Sequence, residues 1–352
     1  MKTTNYHLER TKVAKVIMQD MFKVQPGESV AITADSGNDP ELMNAFAAAV
    51  YAVGGKPLLI WTPKAEQDGQ AGMKDWPVAA LTGALSNVDV WLECNSTILL
   101  YSDIWENAFR NNKKLRYLII ADSSVQSLLR TFTGYNVPDL SRMLNKVRDM
   151  VLNCKTVRIT SANGTDVSYD INLDYAFDLD DGDFSMPKFG TAPGYVNIVP
   201  KTGSMNGTIV FDLLMNANVY GNDNTIAFIM KDGVIEDVTG TPKEVENFID
   251  YLASFDDPNM YKISHNMFGL NPSIRKMMGE VVEDERVWGG VDFGFGHTSP
   301  MDMPPLGQVA KSHFDGIVDK VSIFLDNVQI VKEGVYIHPE LKPLAVKLIG
   351  NY

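Results

Sequence analysis

The sequence predicts an α/β N-terminal domain built on an open parallel sheet, joined to an α+β, sheet-rich C-terminal domain. Short apolar runs alternate with helically spaced segments across residues 25–152, the mark of strand–helix–strand units and hence of parallel pairing. After Cys154 the pattern turns to hairpins with Asn163-Gly164 and Asp232-Gly233 turns, dipeptides that suit two-residue loops between antiparallel strands. A length of 352 residues with 45% hydrophobic content is enough for two cores. The boundary is expected near residue 154, giving domains 1–154 and 155–352.

In residues 5–22, Leu8, Val13, Val16, Ile17 and Met21 recur at helical spacing. VQPGESVAITAD is a Pro-Gly turn feeding a strand at 30–33. NDPELMNAFAAAVYAVGG follows as a helix, with Asp39 as N-cap, Pro40 at the first helical position and Gly54 near the stop. KPLLIWT, VDVWLEC and LRYLIIAD supply three more strands, with helices expected near 77–85, 103–112, 123–130 and 139–152. No GxGxxG or GxxxxGK[ST] follows the first strand, so this sheet carries no nucleotide signal. In the second half, TVRITSANGTDVSYDI and TIAFIMKDGVIEDVTG are hairpins, TPKEVENFIDYLASF is an amphipathic helix and ELKPLAVKLIG a closing one. The alternation Val318, Val321, Ile323, Leu325 marks a strand. GTAPG and DFGFG read as loops.

The formal net charge of −13 and pI of about 4.8 repel phosphate backbones and anionic lipid. Nucleic acid and membrane surfaces are therefore excluded as partners, while a small anion held by a local Arg is not. Cys94 and Cys154 form no CxxC pair and sit in apolar surroundings, as buried free thiols of a reducing compartment do. The N-terminus lacks the continuous apolar run of a signal peptide, and no run approaches the ~18 residues of a membrane span. A soluble, cytoplasmic protein is expected.

Four of the five histidines fall after residue 264. His338, in a terminal loop, and His7, on the first helix, are expected at the surface. His313 and Asp315 form an H-x-D pair at the start of a strand, and residues i and i+2 of a strand share a face. His265 lies in another extended segment, KISHNMFGLNP. Two imidazoles and one carboxylate make the facial triad of non-haem Fe(II) oxygenases, and three protein ligands also suit catalytic zinc. The bland alternative is a hydrogen-bonded surface pair. His297, in the glycine-rich GFGHTSP, stands as a ligand in place of His265, a hydrogen-bond donor to substrate, or a turn cap. Arg286, after the acidic EDE run, is either a surface ion pair or a clamp on an anionic oxygen. G-x-S-x-G and H-E-x-x-H are absent, which removes the nucleophile-elbow hydrolases and the zincins.

In chain order, VQPGESVAIT, AAAVYAVGGKPLLIW, MNGTIVFD, TIAFIMKDGVIEDVTG, HNMFGLNP and SHFDGIV resemble the leucyl aminopeptidase family of metallopeptidases. They also resemble its relatives, the 2,5-dihydroxypyridine 5,6-dioxygenases. The resemblance spans nearly the whole chain, and the metal site separates the two branches. Tyr195, in GYVNIVP, stands where the peptidases have a metal-binding Glu. His265 stands where they have a second Glu, and Asp292 where they have a His. Two dications need bridging carboxylates, so the resemblance points away from a dinuclear peptidase. SHNMFGLNP and HFD match the dioxygenase motifs S-H-x-x-x-G-L-x-P and H-x-D.

The dioxygenase branch implies His265, His313 and Asp315 as ligands of one Fe(II) per chain, with Zn or Mn as alternatives. It implies Arg286 and Tyr195 on the substrate side, and Tyr101, in LLYSD in place of an expected His, as a proton donor beside His297. KFGTAPG lacks the histidines expected before GYVNIVP. The implied partners are O2 and a small hydroxylated N-heteroaromatic, in a homo-oligomer of two chains or more. The rivals are a metallo-aminopeptidase with an altered metal site and a metal-free binding protein that kept the fold.

Overall fold

The structure is a computed structural model that describes residues 7–121, 123–220 and 224–350. The chain divides into two compact units, Met1–Val137 with Gly182–Pro193, and Pro138–Asp181 with Gly194–Tyr352.

The first unit is a five-stranded, wholly parallel sheet. Its strands lie in the order Lys56–Thr62, Ser29–Asp35, Val90–Glu93, Arg116–Ile119, Lys188–Gly190. Alternate residues feed two cores, which is why helices cover both faces. Val30, Ile32 and Ala34 pack with Phe46 and Val50 of the helix Pro40–Ala52. Ala31, Trp91 and Tyr117 face Leu85 and Trp105 on the other side. Each such buried aliphatic or aromatic side chain contributes about 1.5–3 kcal/mol. Asp39 caps the helix Pro40–Ala52 by accepting from the Glu41 N–H, with Pro40 at the first position as the sequence predicts. The first helix is α-helical over His7–Lys15 and widens to a π-helical turn over Val16–Met21. The strand Lys188–Gly190, far along the chain, escapes sequence reading because three residues after a proline carry no period.

At the carboxyl ends of the central strands lies a cavity of about 470 Å³, lined in part by Arg10, Asn38, Asp39, Cys94 and Ser124. Its polar groups serve one another. Arg10 is bridged to Asp39 at 2.7 Å, and Asn38 donates to the Cys94 carbonyl.

The second unit holds two antiparallel sheets, of eight and seven strands. Both predicted hairpins are present, Thr156–Thr160 with Asp166–Asp170 and Ile226–Lys231 with Val234–Gly240. Phe228 of the larger sheet, Phe295 and Phe314 of the smaller and Phe248 of the helix Pro242–Ser254 meet as one aromatic core, with ring centroids 5.2–6.4 Å apart. This core seats the strands that carry the site. Cys94 and Cys154 are buried free thiols. Among the described residues no helix is long and apolar enough to cross a membrane.

Candidate metal centre

Three neighbouring strands of the seven-stranded sheet build the site: Ile263–Gly269, Val291–Thr298 and Gln308–Val318. The H-x-D pair lies in the middle of the last strand, not at its start. The DFGFG stretch is the central strand of the three, not a loop. Its alternation is chemical: Phe293 and Phe295 are fully buried, while Asp292, Gly294 and Gly296 share the opposite face.

In register, His265 stands opposite Gly294, and Gly294 opposite Asp315. Directly opposed residues project to one face. With no side chain between them, His265 and Asp315 lean across the glycine until Nε2 and Oδ1 are 3.2 Å apart. A Cβ at position 294 would lie 2.0 Å from His265 Nε2 and 2.9 Å from Asp315 Oδ1. His313, two residues before Asp315, brings its own Nε2 within 3.0 Å of the same oxygen. The two imidazoles stand edge to face, 84° between planes and 5.1 Å between centroids.

Two register irregularities aim these groups. One falls between Ile263 and His265 and sets His265 opposite Gly294. The other falls between Gly296 and Thr298, at His297. Bulges re-aim side chains and free main-chain groups from the ladder. Here the His297 carbonyl accepts from His313 Nδ1–H at 2.9 Å and from the Ser264 hydroxyl at 3.0 Å. Thr298 in turn donates to Ser264 at 2.7 Å. With its proton held on Nδ1, His313 presents the Nε2 lone pair to the cluster.

The donor set fits a divalent ion. One atom each from His265, His313 and Asp315 lies within 4.8 Å of the others. Two ligands at right angles on an ion with bonds of about 2.1 Å lie about 3.0 Å apart, close to the 3.0 and 3.2 Å found here. Burial, reinforced by His313, lowers His265 to about 4. Burial also opposes a proton on His313, but Asp315, the His297 carbonyl and Glu285 raise it to about 9. Burial pushes Asp315 up, yet His313, His265 and Arg286 together hold it below the usual carboxylate range. A dication bound here would take the place of the His313 proton in this charge balance.

Around the triad, Arg286 is buried, ion-paired to Glu285 at 2.6 Å, and lies over the Tyr195 ring with 5.2 Å to the centroid. The two residues expected on the substrate side thus meet each other. Burial, eased by Arg286, leaves the Glu285 carboxyl raised to about 7. The His297 ring is lowered by burial and then by His313. Tyr101 belongs to the first unit. It is half exposed, in the left-handed region at φ 64°, with its ring edge-on to Trp105 at 5.8 Å. Sequence reasoning missed Gly294, the Ser264–Thr298 hydroxyl pair and Glu285. Glycines spaced i, i+2 opposite an H-x-D motif were the available signal.

A sequence model of the 2,5-dihydroxypyridine 5,6-dioxygenase family (NicX) matches residues 14–338. No curated protein matches the sequence. Among solved structures, the chain is similar to the 2,5-dihydroxypyridine dioxygenase from Pseudomonas putida KT2440. Identity is 19%, covering 96% of this chain and 100% of that one, with a TM-score of 0.80. It is also similar to wild-type AmpT from Thermus thermophilus, at 11% identity, 95% and 100% coverage and a TM-score of 0.66. At these identities the likeness is one of fold, a mixed α/β architecture with one parallel and two large antiparallel sheets.

Proposed function

Because the chain belongs to the 2,5-dihydroxypyridine 5,6-dioxygenase family, we propose that it is a mononuclear non-haem Fe(II) dioxygenase. Its substrate in this reading is a hydroxylated N-heteroaromatic such as 2,5-dihydroxypyridine, whose ring it opens with O2. The observation that carries the reading is the convergence of His265 Nε2, His313 Nε2 and Asp315 Oδ1 on one point. Two imidazoles and one carboxylate on one side of an ion leave positions open on the other. When bound, Fe(II) supplies the redox chemistry that links an electron-rich ring to O2, and Lewis acidity toward a ring oxygen.

The chain's own residues supply the rest. The His297 carbonyl keeps the His313 proton on Nδ1. Ser264 and Thr298 brace that carbonyl, so a ligand nitrogen is held in place before substrate arrives. Arg286 offers a buried guanidinium to an anionic ring oxygen, and Tyr195 beneath it offers an aromatic face. His297, whose ring is biased toward the neutral form by burial and then by His313, offers a base to the substrate in this reading. Tyr101 enters as a proton donor through its place in LLYSD alone.

The test is O2 uptake by the chain reconstituted anaerobically with Fe(II) and given 2,5-dihydroxypyridine. Uptake matched to loss of the ring's ultraviolet absorption, and abolished in His265→Ala and His313→Ala, is expected. Release of N-terminal residues from peptides without O2 uptake would overturn the proposal in favour of a hydrolase.

A further inference from the structure

Asn197 is a buried polar side chain that neither the triad nor its supporting hydrogen bonds use. It is 8% exposed, and its Oδ1 meets no hydrogen-bond partner among the described residues. A buried carboxamide normally has its acceptor filled, because an empty one costs the desolvation of the group. The backbone that carries it is firmly held. The Asn197 N–H donates to the Asp178 carbonyl at 2.7 Å, and its strand, Tyr195–Ile198, pairs with the site strand Ile263–Gly269.

Register turns this side chain toward the site. Asn197 stands directly opposite Met267, and Met267 lies two residues beyond His265. Directly opposed residues project to one face, and residues two apart on a strand share it. Asn197 and His265 are therefore diagonal neighbours on the face that carries the triad, a relation that spaces residues by about 7–8 Å. Tyr195, two residues before Asn197, lies on the same face, with the Arg286 guanidinium 5.2 Å from its ring centroid. The acceptors and donors already present leave a gap that Asn197 fills. A guanidinium donates and cannot accept. Asp315 Oδ1 is shared by both histidines, at 3.0 and 3.2 Å. Asp292 also has orphaned oxygens, but it has no exposed surface, and its Oδ2 closes on His265 Nε2 at 3.4 Å. A 2-hydroxypyridine in its lactam form carries a ring N–H beside the C2 oxygen, a donor next to an acceptor. A carboxamide carries the complementary pair, an acceptor oxygen next to a donor NH2.

Resting on the dioxygenase reading above, we propose that Asn197 is a specificity-determining residue that reads the lactam edge of the substrate ring. Its Oδ1 accepts from the ring N–H, and its Nδ2 donates to the neighbouring ring oxygen. The site then selects a 2-hydroxylated N-heteroaromatic over a carbocyclic diphenol of the same outline. A pocket built to hydrogen-bond a substrate group rejects the analogue that lacks it, because its own buried polar atom is left unpaired.

Hydroquinone is the probe, since it differs from 2,5-dihydroxypyridine only in carrying a C–H where the pyridine has its ring nitrogen. Dissociation constants of both compounds are measured anaerobically on the Fe(II)-loaded full chain, in the wild type and in Asn197→Ala, beside O2 uptake with 2,5-dihydroxypyridine. The wild type should prefer the pyridine by at least about 10-fold, and Asn197→Ala by no more than about threefold. This ratio is internal to each protein, so a partly folded preparation does not move it. A wild-type preference under about 10-fold, or a variant that keeps more than about threefold, overturns the proposal. If the wild type consumes O2 with 2,5-dihydroxypyridine and the variant keeps the wild-type ratio, the dioxygenase reading stands and the role of Asn197 falls. If the wild type consumes no O2, the dioxygenase reading itself falls, and this inference with it. A diffraction structure of the wild type with 2,5-dihydroxypyridine bound anaerobically decides independently of any variant's folding. An Asn197 carboxamide atom within about 3.2 Å of the ring nitrogen supports the assignment, and a longer distance rejects it.

Discussion

Gly294→Ala tests the geometry of the site with a single methyl group. Gly294 is not among the glycines in the left-handed region, so alanine is accepted by the backbone there. The difficulty is space. The new Cβ would sit 2.0 Å from His265 Nε2, 2.1 Å from Cδ2 and 2.9 Å from Asp315 Oδ1, where ordinary contact begins at 3.4 Å. The ring must therefore retreat by about 1.4 Å, the difference between those two distances, or the strand must move. Either carries Nε2 out of reach of an ion that the other two ligands still hold, and a displacement near 1 Å in a reacting constellation costs on the order of 100-fold in rate. Overpacking itself costs about 1–3 kcal/mol, which leaves the chain folded. The assay is O2 uptake and iron content after anaerobic Fe(II) loading, with urea unfolding of the metal-free chain alongside. Gly83→Ala is the control: it is exposed on the helix Val78–Leu85, and a Cβ there meets nothing within 4 Å. Gly294→Ala should lose iron and at least about 100-fold in rate, with Gly83→Ala unchanged or slightly stabilised. Full iron content and a rate within about threefold of wild type in Gly294→Ala would refute the packing of His265 over this glycine.

Glu93 is fully buried and accepts from the Tyr117 hydroxyl at 2.7 Å and the Leu99 N–H. Burial raises its carboxyl from 4.5 to about 7 against those bonds. The unfolded chain gives up this proton first, so stability should fall as pH rises from about 4.5 to 7, by roughly 3 kcal/mol at 1.36 kcal/mol per unit. Glu93→Gln should remove that slope in urea titrations across the window, and an unchanged slope would contradict it. Arg286→Lys keeps the charge but loses the planar fork over Tyr195. It should lower kcat/KM for 2,5-dihydroxypyridine about 10–100-fold, chiefly through KM, and a KM equal to wild type would argue against a substrate clamp. Phe228→Ala opens the aromatic core where Phe211, Phe248, Phe295 and Phe314 meet. About 3–5 kcal/mol should be lost in urea unfolding, and a loss under about 1 kcal/mol would mean the core collapses around the gap.

What the sequence makes legible follows from how local each signal is. The parallel sheet, its helices, both Asn-Gly and Asp-Gly hairpins and the cap at Asp39 rest on patterns within about twenty residues, and they recur in the structure. His313 and Asp315 were legible because i, i+2 spacing fixes a common face. DFGFG was misread as a loop because glycine is depleted in strands. The structure shows what glycine does there: Gly294 makes room for an imidazole from one neighbouring strand and a carboxylate from the other. The bulges at Ser264 and His297, and the carbonyl they aim at His313, depend on register between separate strands, His265 against Gly294 and Gly296 against His313. No local pattern encodes that register. Asp292 carried a signal only through resemblance to a peptidase ligand, and its orphaned oxygens are visible only once the strand is placed.

The central claim is a mononuclear centre at His265, His313 and Asp315, and the metal content of the chain after anaerobic loading with Fe(II) tests it most directly. One iron per chain is expected, falling to none in His313→Ala. Two zinc or manganese ions per chain, or no tightly bound metal at all, would contradict it.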